Sequence, residues 1–382
     1  MLGQTEVGMS DDVAELVARF RANTAADYSD EELARLETAA EDDIWAAKIA
    51  GYQHFRRRNL PKAALLMSRV ASREPTSENI VNVAVLHRDA GNLEAAVAVL
   101  TARKDEIEPI RFHDMMCSCL GRLGRIEEAR EHGTEALRLK DETAPAAPPR
   151  EFRLANVDID APTRQVIAFS LFGRDNRYTL GAVNNAVVAR YLYPGWTARF
   201  YVDESVPEEV RRILRQNGAQ VAVVEGLPAA DYGLFWRFLV EDDPNVGVYV
   251  VRDVDSVITI KERAAVAAWL RSGRAFHVMR DNIQHSELIL AGMWGAHRGN
   301  LGPMAPRVQT YVSRIGVRAN FVHRDQHFLR SEIWPIVRQS VFVNDELFGF
   351  GETHPYDPDY ALPKAMHIGQ NDWVHYKAVE KS

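Results

Sequence analysis

The chain has 382 residues, of which 46% are hydrophobic and 26% charged, and a formal net charge of -7. That length allows two or three domains, each with its own core, and the acidic balance argues against a broad nucleic-acid surface or a polybasic membrane patch. The start, MLGQTEVGMSDDVAELV, lacks a basic stretch before an apolar core, and no run reaches the ~18 apolar residues of a spanning helix. A soluble, unexported, cytoplasmic protein is expected. The two cysteines, Cys117 and Cys119, lie two apart in a helical pattern, where side chains diverge, so no bridge between them is expected.

Residues 11 to 140 read as helices rich in Ala, Leu, Glu and Arg. RNLPKAA from Arg58, GNLEAAV from Gly91 and GRIEEAR from Gly124 recur at intervals of 33 residues. Each unit places an apolar residue (Leu60, Leu93, Ile126) three positions before an alanine (Ala63, Ala96, Ala129) small enough to admit a neighbouring helix. Pro75 and Pro109 mark expected helix stops. Such a period predicts stacked helical hairpins and resembles tetratricopeptide repeats: three units from about residue 43, preceded by one or two capping helices. The resemblance rests on turn and alanine positions, since most aromatic positions are replaced. These repeats serve either as a packing or dimerisation module or as a groove for a protein partner, and a homo-oligomer stays open. DETAPAAPPR, residues 141 to 150, holds three prolines without an apolar period and reads as a stiff linker. The expected domains are a helical repeat domain (1–140), a Pro-rich linker (141–163) and a second domain (164–382).

The second domain alternates buried-type strands with helices: QVIAFSLFG, then a helix ending at Pro194-Gly195, TARFYVDESVP, a helix ending at Asn217-Gly218, AQVAVVEG, the GLFWRF helix, and VYVVRDVDS. This β-α-β pattern predicts an α/β domain whose mainly parallel sheet is covered on both faces, with ligands beyond the carboxyl ends of the strands. Asp253 and Asp255 lie at such an end. Two residues apart on an extended segment, they point to one side, and their hard oxygens suit Mg²⁺ or Mn²⁺ with a diphosphate completing the shell. The plain alternative is a solvated strand end. Arg252 between them and the strand points to the opposite face and reads as structural. Phe172 and Gly173 end the first strand, either approaching a nucleotide base and ribose or only turning the chain. Arg237 on the helix feeding the aspartate strand either holds a phosphate in a forked contact or pairs with Glu241 one turn on.

The run SLFG, Tyr178, GAVNNA, YPGW, RFYVDESVP, WRF, VVRDVDS, HVMRD and LILAGMWG resembles GT-A fold glycosyltransferases with an RDxDS strand and a GGMWG-like segment. The resemblance covers about residues 164 to 373 and implies a Rossmann-like GT-A domain. It implies a metal ion on Asp253 and Asp255 bridging the phosphates of a nucleoside diphosphate sugar, UDP above all. Phe172, Gly173, Tyr178, Arg237, Asp253, Arg280 and Asp281 would contact the donor, and Gly292, Met293 and Trp294 would form an acceptor floor, unless Trp294 is plain core. The stretch between Asp281 and Gly292 departs from the group pattern, which puts acceptor choice in doubt. HRDQHFL resembles the DQ motif of retaining sugar transferases such as glycogenin and the lipopolysaccharide galactosyltransferases, and HIGQNDW is similar to a shortened form of their HxxGxxKPW motif. These imply Asp325 and Gln326 beside the anomeric carbon and His367 as a third metal ligand. Asp325 would act as general base in an inverting enzyme and stabilise the oxocarbenium-like state in a retaining one, the outcome the DQ match implies. As alternatives, Asp325 caps a helix and His367 satisfies local backbone. His285 and His327 receive no role.

The function expected is transfer of a sugar to a protein or glycan acceptor, in the cytoplasm or at the inner membrane face, with the repeats recruiting acceptor or partner. The rival is a repeat-based adaptor carrying an inactive transferase-like domain.

Overall fold

The computed structural model describes residues 11–155, 164–316, 323–363 and 366–371. The end of the expected linker (156–163) and Asp372 and Trp373 of the expected closing motif lie outside the described residues. The chain forms two compact units, Met1–Leu139 and Lys140–Ser382. Among the described residues, no helix is long and apolar enough to cross a membrane.

The first unit is built from α1 (Asp11–Ala22), α2 (Asp30–Ala39), α3 (Ile44–Arg56), α4 (Leu60–Arg73), α5 (Ser77–Asp89), α6 (Leu93–Ala102), α7 (Pro109–Arg122) and α8 (Ile126–Thr143). The 33-residue period appears as three helical hairpins, α3/α4, α5/α6 and α7/α8. Their turns repeat bond for bond: Asn59 N donates to His54 O, Asn92 N to His87 O and Arg125 N to Leu120 O, at 2.8 to 3.0 Å. Such a turn needs one left-handed residue, and the three equivalent positions are Arg58 (φ 61°), Gly91 (φ 82°) and Gly124 (φ 78°). Ala63, Ala96 and Ala129 are wholly buried, as the close approach of paired helices requires. α4 stops before Pro75, but Pro109 does not end a helix. It opens α7 at the first helical position, where its fixed φ is favourable and its missing N–H costs nothing; α6 has already stopped at Ala102 and passed into a short 3₁₀ turn. An apolar cleft of about 230 Å³ on this unit is lined by Tyr52, Phe55, Met67, Val85 and Leu86.

The second unit contains β1 (Arg164–Leu171), α9 (Asn176–Leu192), β2 (Trp196–Val202), α10 (Glu208–Gln216), β3 (Gln220–Val223), α11 (Ala229–Tyr232), β4 (Val246–Arg252), α12 (Ile260–Arg271), β5 (Phe276–Arg280), β6 (Met293–His297), α13 (Met304–Ile315), α14 (Arg324–Phe328), α15 (Trp334–Val337), β7 (Val341–Asp345) and β8 (Thr353–His354). The strands form one sheet in the order β3-β2-β1-β4-β6-β5-β7-β8. Pairings are parallel except those of β6, which runs antiparallel to both β4 and β5. The protein is therefore a helical N-terminal unit followed by an α/β unit with a mixed, mainly parallel sheet. All seven residues of β4 are buried, the pattern of a strand covered on both faces.

The strand order fixes where a ligand can enter. The chain builds outward from β1 through β2 to β3, then returns to place β4 on the other side of β1. The loops leaving β1 and β4 diverge there, opening a crevice at their carboxyl ends.

The proline-rich stretch is less free than its composition implies. Arg153 N donates to Asn300 Oδ1 (2.9 Å), Asn300 Nδ2 returns a bond to Arg153 O (2.8 Å), and Ala155 N donates to His297 Nδ1 (3.0 Å). Phe152 meets Phe276 edge to face. These bonds strap residues 152–155 onto the α/β unit, satisfying backbone groups that a free linker would leave to water.

Arg58 is the one non-glycine among the three equivalent turn positions, in a conformation that costs an L-residue about 1–2 kcal/mol. After the extra chain entropy of glycine is subtracted, Arg58→Gly should stabilise the helical unit by about 0.5–1 kcal/mol, read as a higher urea midpoint by far-ultraviolet circular dichroism. Gly91→Ala should shift the midpoint the other way.

Candidate functional site

A cleft of about 110 Å³ opens at the β1/β4 crevice, lined by Ser170, Leu171, Phe172, Tyr178, Leu234, Arg237, Asp253, Val254 and Asp255. Five of the residues expected at a donor site, Phe172, Tyr178, Arg237, Asp253 and Asp255, thus meet in one place from four separate chain segments.

Arg237 lies in a 3₁₀ helix, Gly233–Asp242, where an α-helix was expected; 3₁₀ runs of this length are uncommon. Its backbone N–H donates to Ser170 Oγ at 2.9 Å, and its side chain is 5% exposed. One guanidinium nitrogen pairs with Asp253 Oδ1 and the other with Asp325 Oδ2 at 2.7 Å. Arg237 therefore does not pair with Glu241, whose carboxylate instead accepts from the backbone of Gly299 and Leu301. Asp325 does not cap a helix either. His323, in a left-handed conformation, occupies the N-cap of α14, while Asp325 is buried and its second oxygen accepts from Gln326 N at 3.0 Å. Gln326 is half-buried beside it.

The two carboxylates on Arg237 differ electrostatically. Burial pushes Asp253 up, but attraction to Arg237, with help from Arg252 and Arg177, outweighs it and leaves the group below the usual carboxylate range. Burial dominates at Asp325, which stays above that range despite Arg237. A carboxylate raised by burial and held beside a cation is suited to exchanging a proton with a reacting group.

Asp255 accepts two bonds through Oδ2 from the Arg177 guanidinium, the one from Nε at 2.7 Å. Each aspartate of the pair keeps one oxygen outside these arginine contacts, so the donor set still fits a divalent cation bound by two hard oxygens, one from each residue.

Several supports were not legible as such. Asn185 of α9 is wholly buried, donates to Val254 O and Ser256 O and accepts from Ile258 N, each at 3.1 Å. One amide thus clamps the turn that carries Asp255. A Cβ on Gly181 would lie 2.3 Å from Val254 O, and one on Gly292 would lie 2.1 Å from Asp253 Oδ2. α9 and the start of β6 close on the aspartates only because both positions are glycine. The segment GAVNNA carried the signal, a Gly and an Asn on one helix, but nothing in it says what they face.

Other expected site residues go elsewhere. Gly173 turns the chain after β1 with φ 79° and donates to Ser205 Oγ at 2.7 Å; the conformation, not close approach, calls for glycine. Arg252 is wholly buried, pairs with Glu262 at 2.9 Å and donates to Gly292 O at 2.7 Å, the structural role expected of it. Arg280 does not line the cleft: it is wholly buried and its guanidinium donates to Glu287 O and Leu288 O. Met293 is 3% exposed and Trp294 wholly buried against Phe238 and Tyr249. Trp294 is core, so it offers no face for a sugar ring to stack on.

His367 also departs from expectation. Its ligand nitrogens do not gather with Asp253 and Asp255 within reach of one ion; they gather with Asp281 and His285 instead. The cause is local: Ile368 N donates to Asp281 Oδ2 at 2.9 Å and His367 Nδ1 bonds Ile368 O at 2.9 Å, drawing the segment toward the end of β5. Asp281 accordingly lies in that cluster, away from the cleft lining.

Arg237 is buried between Asp325, also buried, and Asp253, whose side chain is 44% exposed, and removing it would leave the buried Asp325 without its cation. Arg237→Met is expected to cost about 3–5 kcal/mol, measured by urea denaturation. Asp325→Asn should show itself in the pH dependence of stability. A carboxyl raised in the folded state binds more protons there than in the unfolded chain, so its contribution to stability declines as pH rises through that window. The stability of Asp325→Asn relative to wild type should therefore increase from acid to neutral pH, measured as urea midpoints across the range.

No protein-family model matches the chain, and no curated protein matches its sequence. Among solved structures, similarity is found to a mutant O-GlcNAc transferase from Thermobaculum terrenum, at 18% identity and a TM-score of 0.40, covering 64% of this chain and 47% of that one. The chain thus spans under half of that enzyme. A 4-diphosphocytidyl-2C-methyl-D-erythritol synthase from Anaerococcus prevotii matches at 10% identity and a TM-score of 0.34, over 59% of this chain and 98% of its own. A glucosyl-3-phosphoglycerate synthase from M. tuberculosis matches at 14% identity and a TM-score of 0.28, over 48% and 82%.

Proposed function

We propose that the α/β unit is a GT-A type glycosyltransferase that takes a sugar from a nucleoside diphosphate sugar, UDP first among the nucleotides, in a cation-dependent reaction. The observation that carries this reading is the meeting of Asp253, Asp255 and Arg237 at the β1/β4 crevice, with Asp325 held by Arg237 behind the cleft lining. In this reading Phe172 and Tyr178 flank the nucleoside. Asp253 and Asp255 would hold Mn²⁺ or Mg²⁺ between them. The bound ion supplies charge neutralisation for the departing diphosphate. Arg177, 36% exposed, is placed to exchange its aspartate for a phosphate oxygen, a forked contact that guanidinium makes well. Arg237, which lines the cleft, holds Asp325 in a fixed orientation behind it. Asp325, raised by burial, accepts the acceptor hydroxyl proton or stabilises positive charge at the anomeric carbon; the DQ resemblance supports the second role and a retaining outcome, with Gln326 beside it. The acceptor is a protein or glycan, and the helical unit recruits it or a partner through its apolar cleft. Gly292, with Met293 directly after it, would serve this site from behind, through backbone placement against Asp253 rather than contact with the sugar.

The second reading, an adaptor with an inactive transferase-like unit, is favoured by one observation: both aspartates are already engaged by arginines. The two separate in one experiment. Under the transferase reading UDP raises the melting temperature of the full chain more with Mn²⁺ than without, Asp255→Ala removes the Mn²⁺-dependent part, and a screen of nucleotide sugars finds slow donor hydrolysis that Asp325→Asn slows at least tenfold. Absence of any nucleotide- or metal-dependent shift would leave the adaptor.

A further inference from the structure

Asp281, His285 and His367 each offer one ligand atom, and these atoms all lie within 4.8 Å of one another. Three chemical details make the group more than a chance cluster. Asp281 has a side chain only 2% exposed. Its Oδ2 is held by Ile368 N at 2.9 Å and by Lys261 Nζ at 3.3 Å, whereas its Oδ1 is buried and has no hydrogen-bond partner among the described residues. A carboxylate oxygen buried without a partner calls for an explanation. That oxygen faces His285 Nδ1 at 3.6 Å. The imidazole of His367 bonds Ile368 O through Nδ1, an arrangement that makes Nδ1 the protonated nitrogen and leaves the Nε2 lone pair for a ligand. The rings of His285 and His367 stand 5.1 Å apart and nearly perpendicular, 76°, so they converge without stacking.

We infer that Asp281, His285 and His367 form a binding site for a divalent transition ion, Zn²⁺ by its donor set, separate from the aspartate pair of the cleft. Two imidazoles and one carboxylate are borderline ligands that suit Zn²⁺ or Co²⁺ better than Mg²⁺. An ion at about 2.0–2.1 Å from each ligand sets them roughly 3.4 Å apart, a contraction of about an ångström that side-chain rotation supplies. His285 exchanges its bond from Asp281 N, 3.2 Å, for the ion. Lys261 and Ile368 N, which fix Oδ2, become the outer shell that aims Oδ1. Three protein ligands leave a fourth position for water.

The site's consequence is mechanical. Asp281 follows β5, His285 lies on the connection to β6, and His367 belongs to the segment 366–371 near the end of the described chain. Ile368 is wholly buried against Met279, Leu290, Met293 and Tyr356, and a Cβ on Gly369 would lie 2.7 Å from Met293 Sδ. Met293 directly follows Gly292, the residue that abuts Asp253. An ion here staples the segment to the strand whose start backs the cleft.

The test uses the full-length chain without an affinity tag, stripped with chelator and titrated with Co²⁺, whose d–d absorption reports a protein site. Wild type is expected to bind one Co²⁺ per chain, displaceable by Zn²⁺, with a rise in melting temperature. His285→Ala, His367→Ala and Asp281→Asn should each weaken Co²⁺ at least tenfold, while Asp255→Ala leaves it unchanged. Wild type without a protein-bound Co²⁺ spectrum, a result that no misfolded variant can produce, overturns the site. So does loss of the spectrum in Asp255→Ala with retention in His285→Ala, which would assign the ion to the cleft. Because UDP plays no part in the titration, failure here is distinct from failure of the transferase reading.

Discussion

The architecture of the candidate site turns on one guanidinium. Arg237 is buried at the crevice, and its two carboxylate partners come from the end of β4 and the start of α14, 16 and 88 residues away in sequence. A buried cation of this kind persists only because both partners remain. The fold therefore has to bring α14 back to the β1/β4 crevice, and the 3₁₀ helix that carries Arg237 has to be anchored on Ser170 of β1. The same interaction sorts two chemically identical aspartates: the one closer to the cleft opening stays readily ionised and the more buried one is raised. Position, not residue type, makes them different.

A second layer of constraint lies behind them. Arg252 and Glu262 form a wholly buried pair, and burial pushes Glu262 up to about 7. Arg252 also donates to Gly292 O, so the strand end that carries Asp253, the first turn of α12 and the start of β6 share one polar network. Arg252 Nε and Glu262 Oε1 are buried without a hydrogen-bond partner among the described residues, a cost to such a network that accompanies its registering of three elements against one another under the aspartate pair.

The α/β alternation, the 33-residue helical period and the acidic strand end were legible because they are local: a run of apolar residues, a recurring glycine or alanine, two aspartates one residue apart. The left-handed turn that Arg58 shares with Gly91 and Gly124 was legible from spacing, although the residue itself disguised it. What pairs with what was not legible. GT-A resemblance drew His367 toward Asp253 and Asp255, whereas a backbone bond from Ile368 to Asp281 carries it to another cluster. Trp294 reads as a sugar platform until β6 is seen to run antiparallel between β4 and β5, which encloses it. His285 meets Asp281 four residues upstream, but His367 joins them only through the closing segment. Long-range polar pairing depends on side-chain geometry that periodicity does not encode.

Under the proposed transferase reading, the Arg177 contact with Asp255 couples the binding of cation and anion in the crevice. While the guanidinium sits on Oδ2, it substitutes for an external cation, and it can leave without cost only when another anion replaces the carboxylate. An anionic ligand that draws Arg177 away thereby exposes Asp255 at the same moment. Cation and anion would then each strengthen the other's binding by the same factor, as linkage requires. An empty crevice would hold neither firmly, and a filled one would hold both.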